Sequence, residues 1–178
     1  AITYMFYSDN DKLTATVDPL RNVVRYEHDS VGNITETKIY GLALGAEHDL
    51  TSVTETSLTT WLKDSTNYRQ TDNVFDGNNK LTLSSEYFVK GTDSATGIQT
   101  TTVYDSAGNK LSDARAVMAD DSEAVRKSSF EYDAAGRVSK VFDEEYNQSG
   151  GTAGTVTHFS YDIYNNKIQE RLQAIGAT

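Results

Sequence analysis

One pattern constrains this chain more than any other: an aromatic residue, an Asp, two variable residues, then Gly or Asn, recurring along the sequence. The clearest copies are Tyr104-Asp105-Ser106-Ala107-Gly108 and Tyr132-Asp133-Ala134-Ala135-Gly136. His28-Asp29-Ser30-Val31-Gly32 and Tyr161-Asp162-Ile163-Tyr164-Asn165 follow them closely. Phe75-Asp76-Gly77-Asn78-Asn79 and Tyr7-Ser8-Asp9-Asn10-Asp11 are looser versions. The copies start at 7, 28, 75, 104, 132 and 161, so residues 1–178 read as a single repeat array. The widest gap is expected to hide a degenerate repeat within 40–74, with His48-Asp49 as its candidate turn. A self-similar unit of this length signals a protein built by stacking one supersecondary element.

Each position has a physical reason. The aromatic ends a strand and packs against the neighbouring strand. The Asp carboxylate can accept a hydrogen bond from the backbone two residues on, closing an Asx turn. The fifth residue must enter the left-handed region to return the chain as an antiparallel strand, and that region admits Gly, then Asn or Asp. The occupants are Asp11, Gly32, Asn79, Gly108, Gly136 and Asn165, with no other residue type. A polar or basic residue and an aliphatic one then follow, as in Lys12-Leu13 and Arg137-Val138. In Asn109-Lys110-Leu111 and Asn166-Lys167-Ile168 the aliphatic comes one place later. Because a one-residue slip flips a strand's faces, a bulge or longer turn is expected in those two copies.

The segments 2–7, 23–28, 100–104, 128–132 and 156–161 are rich in β-branched and aromatic residues and read as strands. With 22 Thr, 11 Tyr and 6 Phe the composition leans the same way. Polar stretches 90–97, 118–122 and the Gly-rich 147–154 are expected to turn the chain at the other end of each hairpin. Residues 112–127 are Ala-rich and fit a helix or a hairpin; the β flanks favour the hairpin. The fold class expected is all-β, a tandem array of antiparallel β-hairpins.

Function classes fall away on similar grounds. No run approaches the ~20 apolar residues that cross a bilayer, so no membrane insertion is expected. The net charge of −10 opposes polyanions, so nucleic acid is not expected as a partner. Without Cys there is neither disulfide nor thiolate chemistry. No nucleophile elbow, phosphate loop or His-Glu-x-x-His stretch occurs, so no catalytic residue is assigned. His28 fills an aromatic slot, and His48 and His158 have no partner that chemistry would need. The acidic pairs Asp120-Asp121 and Glu144-Glu145 read as solvated surface. Asp9-Asn10-Asp11 lacks the Gly and Glu of a calcium loop, so neither metal nor cofactor is expected. Asn33-Ile34-Thr35 and Asn147-Gln148-Ser149 are glycosylation sequons.

The stretches 104–111 (YDSAGNKL), 132–138 (YDAAGRV) and 16–34, with Arg21 at a place that is often Gly, resemble the Rhs/YD-repeat family. The resemblance implies a long β-ribbon that curves or spirals into a hollow shell, as in bacterial polymorphic toxins, insecticidal toxin complexes and teneurins. It implies a secreted or surface-displayed, bacterial wall segment enclosing a toxin or other cargo. Asp18-Pro19-Leu20 reads as an ordinary inter-repeat linker, and the Asp-Pro-x-Gly-Leu element resembling the family's self-cleavage site is missing. Both ends of the chain lie in strand-like sequence, so its partners are expected to be neighbouring repeats of a longer chain or copies of itself. Two other readings stay open: a fibre or sheath built through unpaired strand edges, and an adhesin whose tyrosines meet a cell-surface glycan.

Overall fold

In a computed structural model, residues 1–41, 43–89, 96–118, 126–146 and 152–176 are described. The architecture is all-β, with twelve strands, six in each unit, that pair antiparallel with their neighbours in chain order within each unit. The chain divides into two units, Ala1–Gly97 and Ile98–Thr178.

The first unit carries β1 (Tyr4–Tyr7), β2 (Leu13–Val17), β3 (Val23–His28), β4 (Ile34–Tyr40), β5 (Tyr68–Phe75) and β6 (Leu81–Val89). Strand alternation puts Tyr4, Phe6, Ala15, Val17 and Val23 on one face, and Ala15, Val17 and Val23 are completely buried. What covers them is the connection between β4 and β5. Its helix α1 (Glu55–Leu62) is capped by Thr54, whose hydroxyl accepts from the Ser57 amide while the Ser57 hydroxyl accepts from the Thr54 amide. Leu58 and Leu62, one helical turn apart, join Tyr40, Leu44 and Leu50 in the core. Fully burying Leu58, Val17 or Val23 stabilises the fold by about 1.5–3 kcal/mol each.

Residues 40–74 therefore hold the last residue of β4, a helical cover and β5, rather than a further hairpin. At His48-Asp49 the Asp49 carboxylate accepts from the Thr51 amide and hydroxyl and from the Ser52 hydroxyl, and no strand follows. A helix of eight residues with three Thr has weak intrinsic propensity and stands on its packing, which is why it left no periodic trace.

The second unit carries β7 (Thr96–Tyr104), β8 (Lys110–Val117), β9 (Arg126–Tyr132), β10 (Val138–Tyr146), β11 (Thr152–Tyr161) and β12 (Lys167–Ile175). At the two ends of the 112–127 segment, β8 pairs antiparallel with β9, Ser112 opposite Ser129 and Arg115 opposite Arg126. Most of the polar stretches 90–97, 118–122 and 147–154 lies outside the described residues; Gly154 lies within β11. Among the described residues of this unit only Val156 is a buried hydrophobic, and every position of β12 is exposed.

Candidate functional site: the repeated turn

Every hairpin that joins an odd strand to the next even one closes in the same way. The residue in the Asp position donates its amide to the carbonyl four residues on and accepts at its own carbonyl from the amide three residues on. Asp29, Asp76, Asp105, Asp133 and Asp162 do this, and Ser8 takes the place in the first copy. The third residue after each has a left-handed backbone: Asp11 (φ 57°), Gly32 (104°), Asn79 (61°), Gly108 (88°), Gly136 (76°) and Asn165 (68°). The aromatics Tyr7, His28, Phe75, Tyr104, Tyr132 and Tyr161 are the last residues of β1, β3, β5, β7, β9 and β11. In an antiparallel meander such turns share one edge, three in each unit.

The carboxylates gather the turn around themselves. Asp29 Oδ1 accepts from the amides of Val31, Gly32 and Asn33, and its Oδ2 from the Asn33 side chain at 2.8 Å. Asp105 with Asn109 and Asp162 with Asn166 repeat that clip, at 2.9 Å each. In Asp133 the clip is Arg137 Nε at 2.7 Å. These side-chain hydrogen bonds, with backbone amides adding to them, hold the carboxyls of Asp29, Asp105, Asp133 and Asp162 below the usual carboxylate range. The clip residue four places after the Asp carries a role that sequence reading recorded only as a polar or basic position.

Basic residues at that position reach onward. Lys12 Nζ donates to the Asp29 carbonyl of the next turn at 2.7 Å. Arg137 donates to the Asp162 carbonyl and to Asn165 Oδ1, and its guanidinium lies 4.6 Å from the Tyr161 ring centre. Tyr132 and Tyr161 donate their hydroxyls back to the carbonyls of Lys110 and Val138, tying each hairpin to the one before. Asn33 donates to Asn79 Oδ1 across the first unit.

The bulge expected in two copies occurs in all six. The aromatic always pairs with the sixth residue after it, and the seventh is left out of the ladder: Thr14, Thr35, Thr82, Leu111, Ser139 and Ile168. Thr14 and Thr82 turn their hydroxyls to the carbonyls of Phe6 and Val74. The copies with Lys at the paired position have the same turn length. Lys110 and Lys167 lie 4.9 Å from the Phe130 and 5.3 Å from the Phe159 ring centres, with Nζ 2.7 Å from Asp113 and 2.6 Å from Glu170. There was no slip to accommodate; Lys stands where the other copies have an aliphatic residue.

A seventh turn was missed. Asp18-Pro19-Leu20-Arg21-Asn22, read as a linker, has the same two backbone bonds, the same Asn clip (Asn22 to Asp18 Oδ2, 2.8 Å) and a left-handed residue, Arg21 at φ 70°. It joins β2 to β3, on the opposite edge. Arg21 is held there by the helical cover: its guanidinium donates to the carbonyls of Gly45 and His48, and its own carbonyl accepts from Leu44. His48 stacks on Trp61 of α1, ring centres 4.3 Å apart. Glu144 pairs in register with Lys127 and Gly154, and Asp120-Asp121 and Asn147 lie outside the described residues.

Consecutive hairpins, each closed by the same turn and five of the six around a carboxylate, define a tandem β-hairpin repeat protein. Residues 7–41 match the RHS Repeat family model. That match takes in two of the six repeated turns, those at 8–12 and 29–33. No curated protein matches it. Among solved structures it is similar in fold to a chain of the Photorhabdus luminescens Tc holotoxin pore, at 16% identity and TM-score 0.55 over 96% of this chain and 9% of that one. It is likewise similar to chains in the TcdB2-TccC3-Cdc42 and TcdB2-TccC3-TEV crystal structures. Each is 17% identical with TM-score 0.55, over 97% and 96% of this chain and 9% of the other. The chain thus spans about a tenth of the length of the structures it matches.

Proposed function

We propose that this chain is wall material: a segment of an extracellular Rhs-type β-shell that separates an enclosed toxin or other cargo from the outside. The observation that carries the reading is the second unit, six strands with one buried hydrophobic among the described residues and an outermost strand exposed at every position. Repeats of this kind bury their apolar faces against neighbours, so an array is stable mainly as part of a longer one. The turn residues Asp29, Gly32, Asp105, Gly108, Asp133, Gly136, Asp162 and Asn165 then act as the closures of the wall. The bonds from Lys12, Tyr132, Arg137 and Tyr161 act as its seams. The mechanism is physical exclusion by a hydrogen-bonded sheet, and no side chain is assigned a chemical step. Similarity to Tc toxin chains supports the fold of such a wall; the cargo and the extracellular location are part of the proposal.

Hydrogen exchange on the isolated chain and on the longer protein that carries it tests this. Protection over 2–13 and 156–168 should rise sharply in the longer protein. Equal protection in the free chain would make the segment self-sufficient and remove the reading. A rise in the free chain with concentration alone would instead identify the fibre, in which β1 and β12, each paired on one side only, meet between copies.

A further inference from the structure

A cleft lies in the first unit beside the last turn of α1, away from the repeated turns. It is lined by Arg25, Lys38, Tyr40, Thr59, Leu62, Lys63, Ser65 and Tyr68 and has a volume of about 200 Å³. Three cations converge there in a chain whose net charge is −10. Their acidic neighbours leave donors unused. Arg25 lies 3.8 Å from Glu55 and Lys63 3.9 Å from Asp64, both beyond hydrogen-bond distance. Only Lys38 has a close partner, Glu36 at 2.7 Å, and it also lies 5.5 Å from the Tyr68 ring centre. The Arg25 side chain is 27% exposed and makes no hydrogen bond to a described residue, although a guanidinium carries five donors in a planar fork. Burial raises the pKa of the Tyr40 hydroxyl, which keeps it protonated and a donor. Thr59 and Ser65 add hydroxyls with no partner among the described residues.

We propose that this cleft binds a small carboxylate, with Arg25 as the bidentate fork and Lys63 and the Tyr40 hydroxyl as flanking donors. The donor set is cationic and hydroxylic, no carboxylate is among the residues that line the cleft, and a fork–fork pair is the strongest match to a guanidinium. The volume is below that of drug-sized sites, so the ligand is a carboxylate on a small carrier. The inference is independent of the wall reading, since it concerns one face of the first unit alone.

Titrating the isotope-labelled full chain at fixed salt, with acetate and separately with inorganic phosphate, tests it by nuclear magnetic resonance. Acetate should give saturable shifts at the Arg25 Nε–H and at the amides of Lys38, Tyr40, Thr59 and Lys63. Arg25→Gln should weaken binding at least about tenfold, the loss of one charge-assisted bidentate pair. Lys63→Gln, at an exposed position, should weaken it about threefold and keeps the test open should Arg25→Gln not fold. Shifts that stay linear, that spread to Lys12 and Arg137, or that are unchanged in both variants would overturn the proposal. Tighter binding of phosphate than of acetate would overturn the carboxylate assignment.

Discussion

Arg21 offers the sharpest test of how the first unit is held together. It has a left-handed backbone, which costs a residue with a Cβ about 1–2 kcal/mol relative to Gly. Against that stand its bonds to the carbonyls of Gly45 and His48, which fasten the helical cover to the sheet. Hydrogen bonds from charged groups contribute about 1.5–3 kcal/mol each, and partial exposure argues for the low end. Two of the three share the His48 carbonyl, so removing the set costs about 3 kcal/mol. Arg21→Ala keeps the backbone strain and loses the bonds, so it should destabilise by about 3 kcal/mol. Arg21→Gly loses the bonds but relieves about 1 kcal/mol of strain, so it should destabilise by about 2 kcal/mol. In thermal melts that is a fall of roughly 4–8 °C for Arg21→Gly and a further 2–4 °C for Arg21→Ala. The order wild type, then Gly, then Ala is the content of the prediction. A Gly variant as stable as the wild type would show that the guanidinium contributes nothing. Equal melting of Gly and Ala would show that the turn carries no strain.

Three further outcomes follow from the turns and ladders. Gly136→Val should lower the melting temperature more than Ala135→Val, since a β-branched residue at φ 76° adds on the order of 1–3 kcal/mol of strain. Differential scanning calorimetry on the pair reads it, and coincident transitions would deny the special backbone. Gly154→Ala should destabilise by about 1–3 kcal/mol, because its Cβ would collide with the Asp143 carbonyl oxygen; wild-type stability in urea would show that β11 shifts freely. The turn carboxylates of Asp29, Asp105, Asp133 and Asp162 titrate below the ordinary 3.8 when folded. Their stabilisation is therefore complete above that value and is lost as pH falls through the lower folded values. Circular dichroism melts should hold steady from neutrality to about pH 4 and fall below it, and Asp133→Asn should flatten the decline.

The hairpins were legible because their constraint is local. A left-handed position restricts residue type, so Gly, Asn and Asp at a fixed distance from an aromatic betray a turn without any knowledge of what packs on it. The same reasoning failed at Arg21, where the left-handed backbone is sustained by carbonyls 24 and 27 residues away. It failed again at α1, whose reason for being helical is Leu58 and Leu62 meeting a sheet face formed by distant strands. In sequence, Lys110 and Lys167 look like exceptions because they break the aliphatic pattern that marks register in the other copies. The ladder follows the turn length instead, and a long Lys stem against Phe130 or Phe159 serves the same position.

The two kinds of connection differ in what they allow the chain to become. Between aromatic and paired residue there are always the same five residues: 8–12, 29–33, 76–80, 105–109, 133–137 and 162–166. The other connections range from the tight 18–22 to the whole of 41–67. Lengthening a loop whose ends are already fixed costs little, about 0.6 kcal/mol per doubling. New sequence can therefore be grafted at that second kind of junction while every strand keeps its neighbours. Additions at the first kind would break the ring of bonds around each carboxylate. Within either unit, insertion is therefore tolerated at one margin of the sheet, and the α1 segment occupies a connection of that kind.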